Sequence, residues 1–406
     1  MNLSLRRSQN LLKSILLLCS TAFCMLSFAQ SNKRMQKLID RNMALAAKQY
    51  KYMATLTPAD SMPRSFNAEE DKLILSNTRW WTSGFFPGAL WLIYSYTGDT
   101  TVKAEAERRL LILEKEKYST ADHDLGFMIF CSFGNAYKIT HKEEYKNVCA
   151  VAAGSLIKRY KPAMKAIQSW GSLNAPVAPV IIDNMMNLEM LNWVSDEWRE
   201  PKFKAIAIDH ANTTLRNHFR PDNSSYHVVD YDPASGKVLE KKTAQGYANE
   251  SAWARGQAWG LYGYTMMYRF TTEKTYLDQA KKIAAFMLNH PNMPADGIPY
   301  WDFNAPIDKH TLRDASAASI MASALLELAR YTEGEERKKY LRSAEKIIKS
   351  LSSKTYLAKY KQNGGFLLKH GVGHLPGKSE VDVPLTYGDY YFIEALIRYR
   401  DWYLLR

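Results

Sequence analysis

The feature that most restricts this chain is an alternation between two kinds of helix. From Lys33 onward, apolar residues recur at helical spacing in twelve segments: 34–56, 84–97, 100–117, 124–139, 142–160, 184–197, 201–218, 252–271, 274–290, 314–332, 335–352 and 386–402. Segments 84–97, 124–139, 184–197, 252–271, 314–332 and 386–402 are apolar or small-residue nearly all round, and their partners carry charged outer faces. A helix apolar on every side has to be buried, and an amphipathic one can cover it. One grammar joins each pair: an aromatic closes the first helix, a short polar turn follows, and a charged stretch opens the second. YSYTGDTTVKAEAERRL and YRFTTEKTYLDQAKKIAAF are two copies. The copies are too unevenly spaced for a solenoid of short repeats. Six buried helices ringed by six half-exposed ones predict an all-α fold, an (α/α)6 barrel of six helical hairpins.

The connections then acquire meaning. Segments 57–83, 161–183, 219–251, 291–313 and 353–385 far exceed the usual helix-to-helix link. All precede inner helices, so they should gather at one end of the barrel, where long loops bearing Trp, His, Asp and Arg would form a site. Within 219–251, SSYHVVDYDPASGKVLEKKT alternates around a turn and predicts a small hairpin. No Pro/Gly/Ser-rich or charged linker divides the chain, which predicts a single catalytic domain over 30–406 despite the length.

Residues 1–29 read as a signal peptide. Arg6, Arg7 and Lys13 form a basic region, SILLLCSTAFCMLSF an apolar one, and Ser27-Phe28-Ala29 a cleavage site. The run is too short for a membrane span, and Leu18 and Phe23 precede the cysteines where a lipoprotein signal needs a small residue. The expectation is an exported, periplasmic chain starting near Gln30, with no membrane segment in its mature form. Cys131 and Cys149 remain, too few for a disulfide scaffold. The leader holds three of the basic residues behind the formal +13, leaving +10. Such a surplus favours an anionic partner. Without a compact Lys/Arg run or a recognised motif, nucleic acid is a poor candidate, and an acidic carbohydrate fits better.

Chemistry is concentrated in a few stretches. From Trp170 the chain reads WGSLNAPVAPVIIDNMMNLEMLNW, with Asp183 where an apolar loop meets an apolar helix. Asp there is either an N-cap or an acid/base group. His123-Asp124-Leu125-Gly126-Phe127 poses the same alternative one inner helix earlier, since Asp122 or Asp124 could cap that helix. Two carboxylates at one barrel mouth suit proton transfer better than two coincidental caps. TRWWTSGFFPGAL offers Trp81 either as a stacking surface for a sugar ring or as a core plug. In NESAWARGQAWG, Arg255 and Trp259 share a helical face. An Arg inside so apolar a helix needs an anionic partner, either an internal acid such as Glu250 or a substrate carboxylate. His227 and Gln245 lie in the loop before it. No HExxH, cysteine pair, Asp-rich calcium loop, Walker loop or GxSxG elbow is present, so no metal or cofactor is expected.

RWWTSGFFPG, HDLGF, IIDNMMNLEML with its upstream Trp170, and ESAWARGQAWG together carry a family likeness. The mature chain resembles the unsaturated glucuronyl hydrolases, glycoside hydrolase family 88, over essentially its whole length. The resemblance implies an (α/α)6 barrel and removal of the 4,5-unsaturated uronic acid that polysaccharide lyases leave at a non-reducing end. It puts Asp183 at the general acid/base position and Asp124 at the second essential carboxylate. It puts His123, Trp170, His227, Gln245, Arg255 and Trp259 around the uronate, and GVGHLPGKSE beside the next sugar. The reaction implied is hydration of the C4=C5 double bond of an acidic unsaturated oligosaccharide, with Asp124 helping by like charge to keep Asp183 protonated. Three rivals remain on the residues alone: an unsaturated rhamnogalacturonyl hydrolase, a sugar epimerase using His as its acid/base pair, and a non-catalytic binder of acidic glycans.

Overall fold

The computed structural model describes residue 30 and residues 32–405, so the expected leader lies outside the described residues. The chain opens with α1 (32–56). There follow α2 (Phe85–Thr97), α3 (Thr100–Leu113), and a π-helical stretch, Gly126–Gly134, that runs directly into α4 (Asn135–Thr140). Next come α5 (Glu143–Leu156), α6 (Asn184–Trp198), α7 (Pro201–Asn217), α8 (Ala254–Thr271) and α9 (Lys274–Asn289). The last three are α10 (Ala315–Leu328), α11 (Gly334–Leu351) and α12 (Thr386–Tyr399).

Burial follows the two expected helix types. Every residue of α10 from Ala315 to Leu328 is buried, whereas α11 buries only Tyr340, Ala344, Ile347, Ile348 and Leu351, one stripe at helical spacing. The inner helices α2, the π stretch with α4, α6, α8, α10 and α12 pack each on the next, and α12 packs back on α2, closing the ring. Helices α3, α5, α7, α9 and α11 lie outside, each on its own inner partner. Helix α1 fills the last outer place, with Tyr50 stacked on Phe86 of α2 at 5.7 Å and its hydroxyl 3.4 Å from Asp389 of α12. One apolar core runs through all of them, and truncating a residue at its centre, such as Leu325→Ala, should cost about 2–5 kcal/mol.

The long connections contain short antiparallel strands. β1 (Met62–Asn67) pairs with β2 (Lys72–Ser76), β3 (Tyr160–Lys161) with β4 (Ala166–Ile167), and β8 (Gly371–His374) with β9 (Ser379–Val383). The expected hairpin within 219–251 is β6 (Val228–Tyr231) with β7 (Val238–Lys242), and β5 (Ala178–Ile181) joins it as a third strand in the order β5-β6-β7. That sheet fastens the connection before α6 to the one before α8. Strands of two to six residues carry too few side chains to display a period of two, which is why the sequence showed only one of the hairpins.

Candidate active site

Asp183 precedes α6 with a backbone that is already helical (φ −58, ψ −27), and its side chain caps nothing. The carboxyl turns to His227 instead, with Oδ1 3.1 Å from Nδ1. The two atoms are out of line for a hydrogen bond, and both are buried without another partner. Strand register brings them together: Ile181 lies opposite Val228, and the Ile182 N–H donates to the His227 carbonyl at 2.9 Å. The Trp253 ring closes the other side of His227, with centroids 4.7 Å apart.

No side chain caps the π stretch; Asp122 Oδ1 accepts the Asp124 N–H at 2.9 Å in the turn before it. Asp124 is left free for other work. His123 is buried, with its N–H donating to the Ser169 carbonyl at 2.9 Å and its Nδ1 3.0 Å from the same oxygen. A carbonyl can only accept, so Nδ1 carries the proton and Nε2 is the lone-pair nitrogen, 3.2 Å from Asp124 Oδ1. Burial lowers the pKa of His123, against the pull of Asp122 and Asp183. Burial, then the charges of Asp122 and Asp183, push Asp124 well above the ordinary carboxylate range. A neutral imidazole facing a neutral carboxylic acid satisfies both shifts. The like charges of Asp122 and Asp183 thus add to burial in raising Asp124.

Asn187 of α6 locks this arrangement. Its Oδ1 accepts the Phe127 N–H at 2.9 Å, and its amide nitrogen lies beside the Asp124 carboxyl, the one influence that lowers it. The approach is so close that a Cβ on Gly126 would stand 2.6 Å from the Asn187 Cα. At Gly84, before α2, a Cβ would meet the Met128 carbonyl oxygen at 2.1 Å. The glycines of HDLGF and SGFFPG therefore let backbones meet around the mouth.

The aromatic residues divide by exposure. Trp170 is 42% exposed. Trp81 is half-buried, its ring 5.0 Å from Tyr387 and 5.6 Å from Phe127. Trp259, expected to touch substrate, is wholly buried beneath Phe127 and Tyr391, at 5.1 and 5.3 Å, so it forms a floor under the site. Arg255 finds an internal acid, one of the two partners its sequence setting called for. Its Nη1 reaches Asp314 Oδ2 at 3.3 Å and the Val372 carbonyl, and its Nη2 donates to the Gly373 carbonyl at 2.7 Å. The internal acid is Asp314, not Glu250, which binds the Tyr226 hydroxyl and Arg220 at the rim. Gln245 donates to the same Gly373 carbonyl at 3.1 Å. Arg255 and Gln245 therefore hold the β8–β9 hairpin over the site through the Arg255 Nη atoms and the Gln245 amide, while Arg255 Nε is left without a partner.

Residues 57–404 match the Glycosyl Hydrolase Family 88 profile. The chain belongs to that family. It is 43% identical to the unsaturated glucuronyl hydrolase of Formosa agariphila over 378 residues, 92% of this chain and 94% of that protein. It is 32% identical over 382 residues to the unsaturated chondroitin disaccharide hydrolase of Streptococcus pyogenes serotype M1, again 92% of this chain and 94% of the other. A crystal structure of an unsaturated glucuronyl hydrolase specific for heparin superposes with a TM-score of 0.87 at 47% identity, covering 90% of this chain and 97% of that one. The chain is accordingly a glycosidase on an (α/α)6 barrel, and the site just described sits at the mouth of that barrel.

Four residues of the site escaped the sequence reading. Asp314 caps α10 through Oδ1, which accepts the Ser316 N–H at 2.9 Å, while Oδ2 neutralises Arg255. Tyr387 is buried with an unpartnered hydroxyl near Arg255 and Asp183, and burial keeps it a phenol. Trp253 and Asn187 complete the set. Only Asp314 left a local signal, an Asp directly before a small-residue helix. The mouth as a whole favours an anion, since helices α2, α6, α8, α10 and α12 begin there, at the positive ends of their dipoles.

Proposed function

We propose that this enzyme removes the 4,5-unsaturated uronic acid from the non-reducing end of lyase-generated glycosaminoglycan fragments by hydrating the C4=C5 bond. One observation carries the reading. Asp183 Oδ1, His227 Nδ1, His123 Nε2, Trp253 Nε1, Arg255 Nε and the Tyr387 hydroxyl are all buried without hydrogen-bond partners around one mouth. Folded proteins rarely leave such groups unsatisfied unless a ligand completes them. The names of the relatives support the substrate class.

Asp183, as the acid, gives its proton to C4 as the π electrons form the new C–H bond. Positive charge then develops at C5 and is shared by the ring oxygen. Water adds at C5, and its proton returns to the Asp183 carboxylate, restoring the acid. The resulting hemiketal opens to a ketone and the neighbouring sugar departs. His227 orients the Asp183 carboxyl, protonated Asp124 and neutral His123 bind ring hydroxyls, and Trp170 stacks on the sugar. The raised pKa of Asp124 favours one further assignment, with Asp124 as the proton donor and Asp183 as the base that activates water. The two separate by residual activity, because the donor's Asn variant should be the more damaged. We also propose that the enzyme acts after export, which the basic and apolar segment 1–29 supports.

Loss of the ultraviolet absorbance of the conjugated double bond tests the reading, with unsaturated chondroitin, hyaluronan and heparin disaccharides set against a pectin-derived unsaturated disaccharide. Turnover of the first group is expected. Turnover of the pectin fragment alone would favour the rhamnogalacturonyl alternative.

A further inference from the structure

Arg159 ends the short turn Ile157–Arg159 that follows α5, and the residue is only 1% exposed. The nearest influential acid is Asp122, and among the described residues no carboxylate reaches it at ion-pair distance. A buried cation without a counter-ion is costly and has to be held by dipoles. Four backbone carbonyls do so: Nε donates to Gln168 at 2.8 Å, Nη1 to Thr120 at 2.6 Å and Ala121 at 3.1 Å, and Nη2 to Gly171 at 3.1 Å. Two of these precede Asp122-His123-Asp124 directly. The other two bracket Ser169 and Trp170.

One planar fork therefore joins two loops, the one carrying His123 and Asp124 and the one carrying Trp170. The loops meet again where the His123 N–H and ring nitrogen share the Ser169 carbonyl. The Ser169 hydroxyl extends the link by accepting the Ile181 N–H at 3.0 Å, two residues before Asp183. We propose that Arg159 is a positioning residue of the active site, fixing the separation between the His123–Asp124 loop and the Ser169–Trp170 loop without touching substrate. The inference rests on the hydrolase reading for its kinetic part only. Lysine cannot replace it, because a single ammonium has three donors on one nitrogen and cannot span the fork.

The test is Arg159→Lys in the full mature chain, with kcat and KM on an unsaturated chondroitin disaccharide and hydrogen exchange read by peptide. KM does not depend on how much of the protein is folded, so a purely structural role would leave it unchanged. The expected result is a KM raised about fivefold, a kcat lowered about tenfold through lost positioning, and faster exchange in both 119–128 and 167–173 with α10 unchanged. An unchanged KM, or loosening of one loop without the other, would overturn the proposal. Should Arg159→Lys not fold, Arg159→Gln is judged by the same readouts, and failure of both to fold would assign the residue to the fold and overturn it. If the wild type turns over no disaccharide, the hydrolase reading fails by itself; paired loosening of the two loops then still decides for Arg159, and its absence against.

Discussion

Asp124 and Glu189 are both largely buried carboxyls facing the inside of one helix ring, and their surroundings push them in opposite directions. Asp124, at the mouth, is raised by burial and by Asp122 and Asp183. Glu189, further along the barrel, is held below its ordinary range against the upward pull of burial, by Arg269, Lys138 and Arg398. Helix α8 spans both regions, with Arg255 near its first turn and Arg269 in its last, about 21 Å apart at the helical rise. Arg269 binds Glu189 at 2.9 Å and Glu327 at 2.7 Å, and Arg398 binds Glu327 at 3.1 Å and the Tyr262 hydroxyl at 2.6 Å. The base of the barrel spends its buried charges on each other. The mouth leaves carboxyl, imidazole, indole and phenol groups unpaired, which suits a place where a ligand must finish the hydrogen bonding.

Breaking each region should therefore cost a different property. The largest effect belongs to Asp183→Asn, for which kcat should fall by about 10²–10⁴, the range for loss of a general acid, with the melting temperature nearly unchanged. Continuous absorbance assays and a thermal melt on the same sample check it. Glu189→Gln should do the reverse, lowering stability by about 3 kcal/mol at neutral pH because Arg269 keeps its charge and loses a partner. The pKa of Glu189 is depressed in the fold, so its contribution is present above the unfolded value of about 4.3 and fades as pH falls through the folded one. The gap between variant and wild type should narrow in acid, as denaturant melts across pH would record.

Asp124→Asn sharpens the contrast through the opposite sign. A raised folded pKa means that the native state holds a proton the unfolded chain has released above about pH 4, so wild-type stability is lost as pH rises through that window. The Asn variant escapes this loss. Its melting temperature should exceed that of wild type at pH 7 and converge with it near pH 4, while activity falls. The smallest effect is expected from Trp170→Ala, with KM raised several-fold through loss of roughly 1 kcal/mol of stacking and no change in melting temperature. A drop in stability there would make Trp170 part of the core rather than a platform.

The barrel was legible because its signal is local and repeated. The segment expected at 184–197 is α6 at Asn184–Trp198, and the one expected at 274–290 is α9 at Lys274–Asn289. Segment 124–139 shows where local reading stops. It is helical, but its first nine residues from Gly126 are a π-helix, and the Phe127 N–H goes to Asn187, sixty positions later. No pattern within the segment encodes that diversion. Asp183 and Asp124 could be named because carboxyls where apolar loops meet apolar helices stand out, and His123 and His227 through the resemblance to the family. The ownership of Arg255 could not, since its partners, Asp314 and the Val372 and Gly373 carbonyls, come from distant connections. Tyr387 was hidden for another reason: TYGDYYF holds three tyrosines, and only the ring packing shows which one faces the site.

The central claim is that Asp183 delivers a proton to C4 and that the glycosidic carbon is never attacked. Turnover of an unsaturated disaccharide in D2O, followed by NMR of the uronate product, reads this directly. A single deuteron at C4 in one configuration is expected with the wild type, with product formation slowed by about 10²–10⁴ in Asp183→Asn. A product with deuterium spread over both C4 configurations would mean that the double bond was lost in solution after ordinary hydrolysis, and would contradict it.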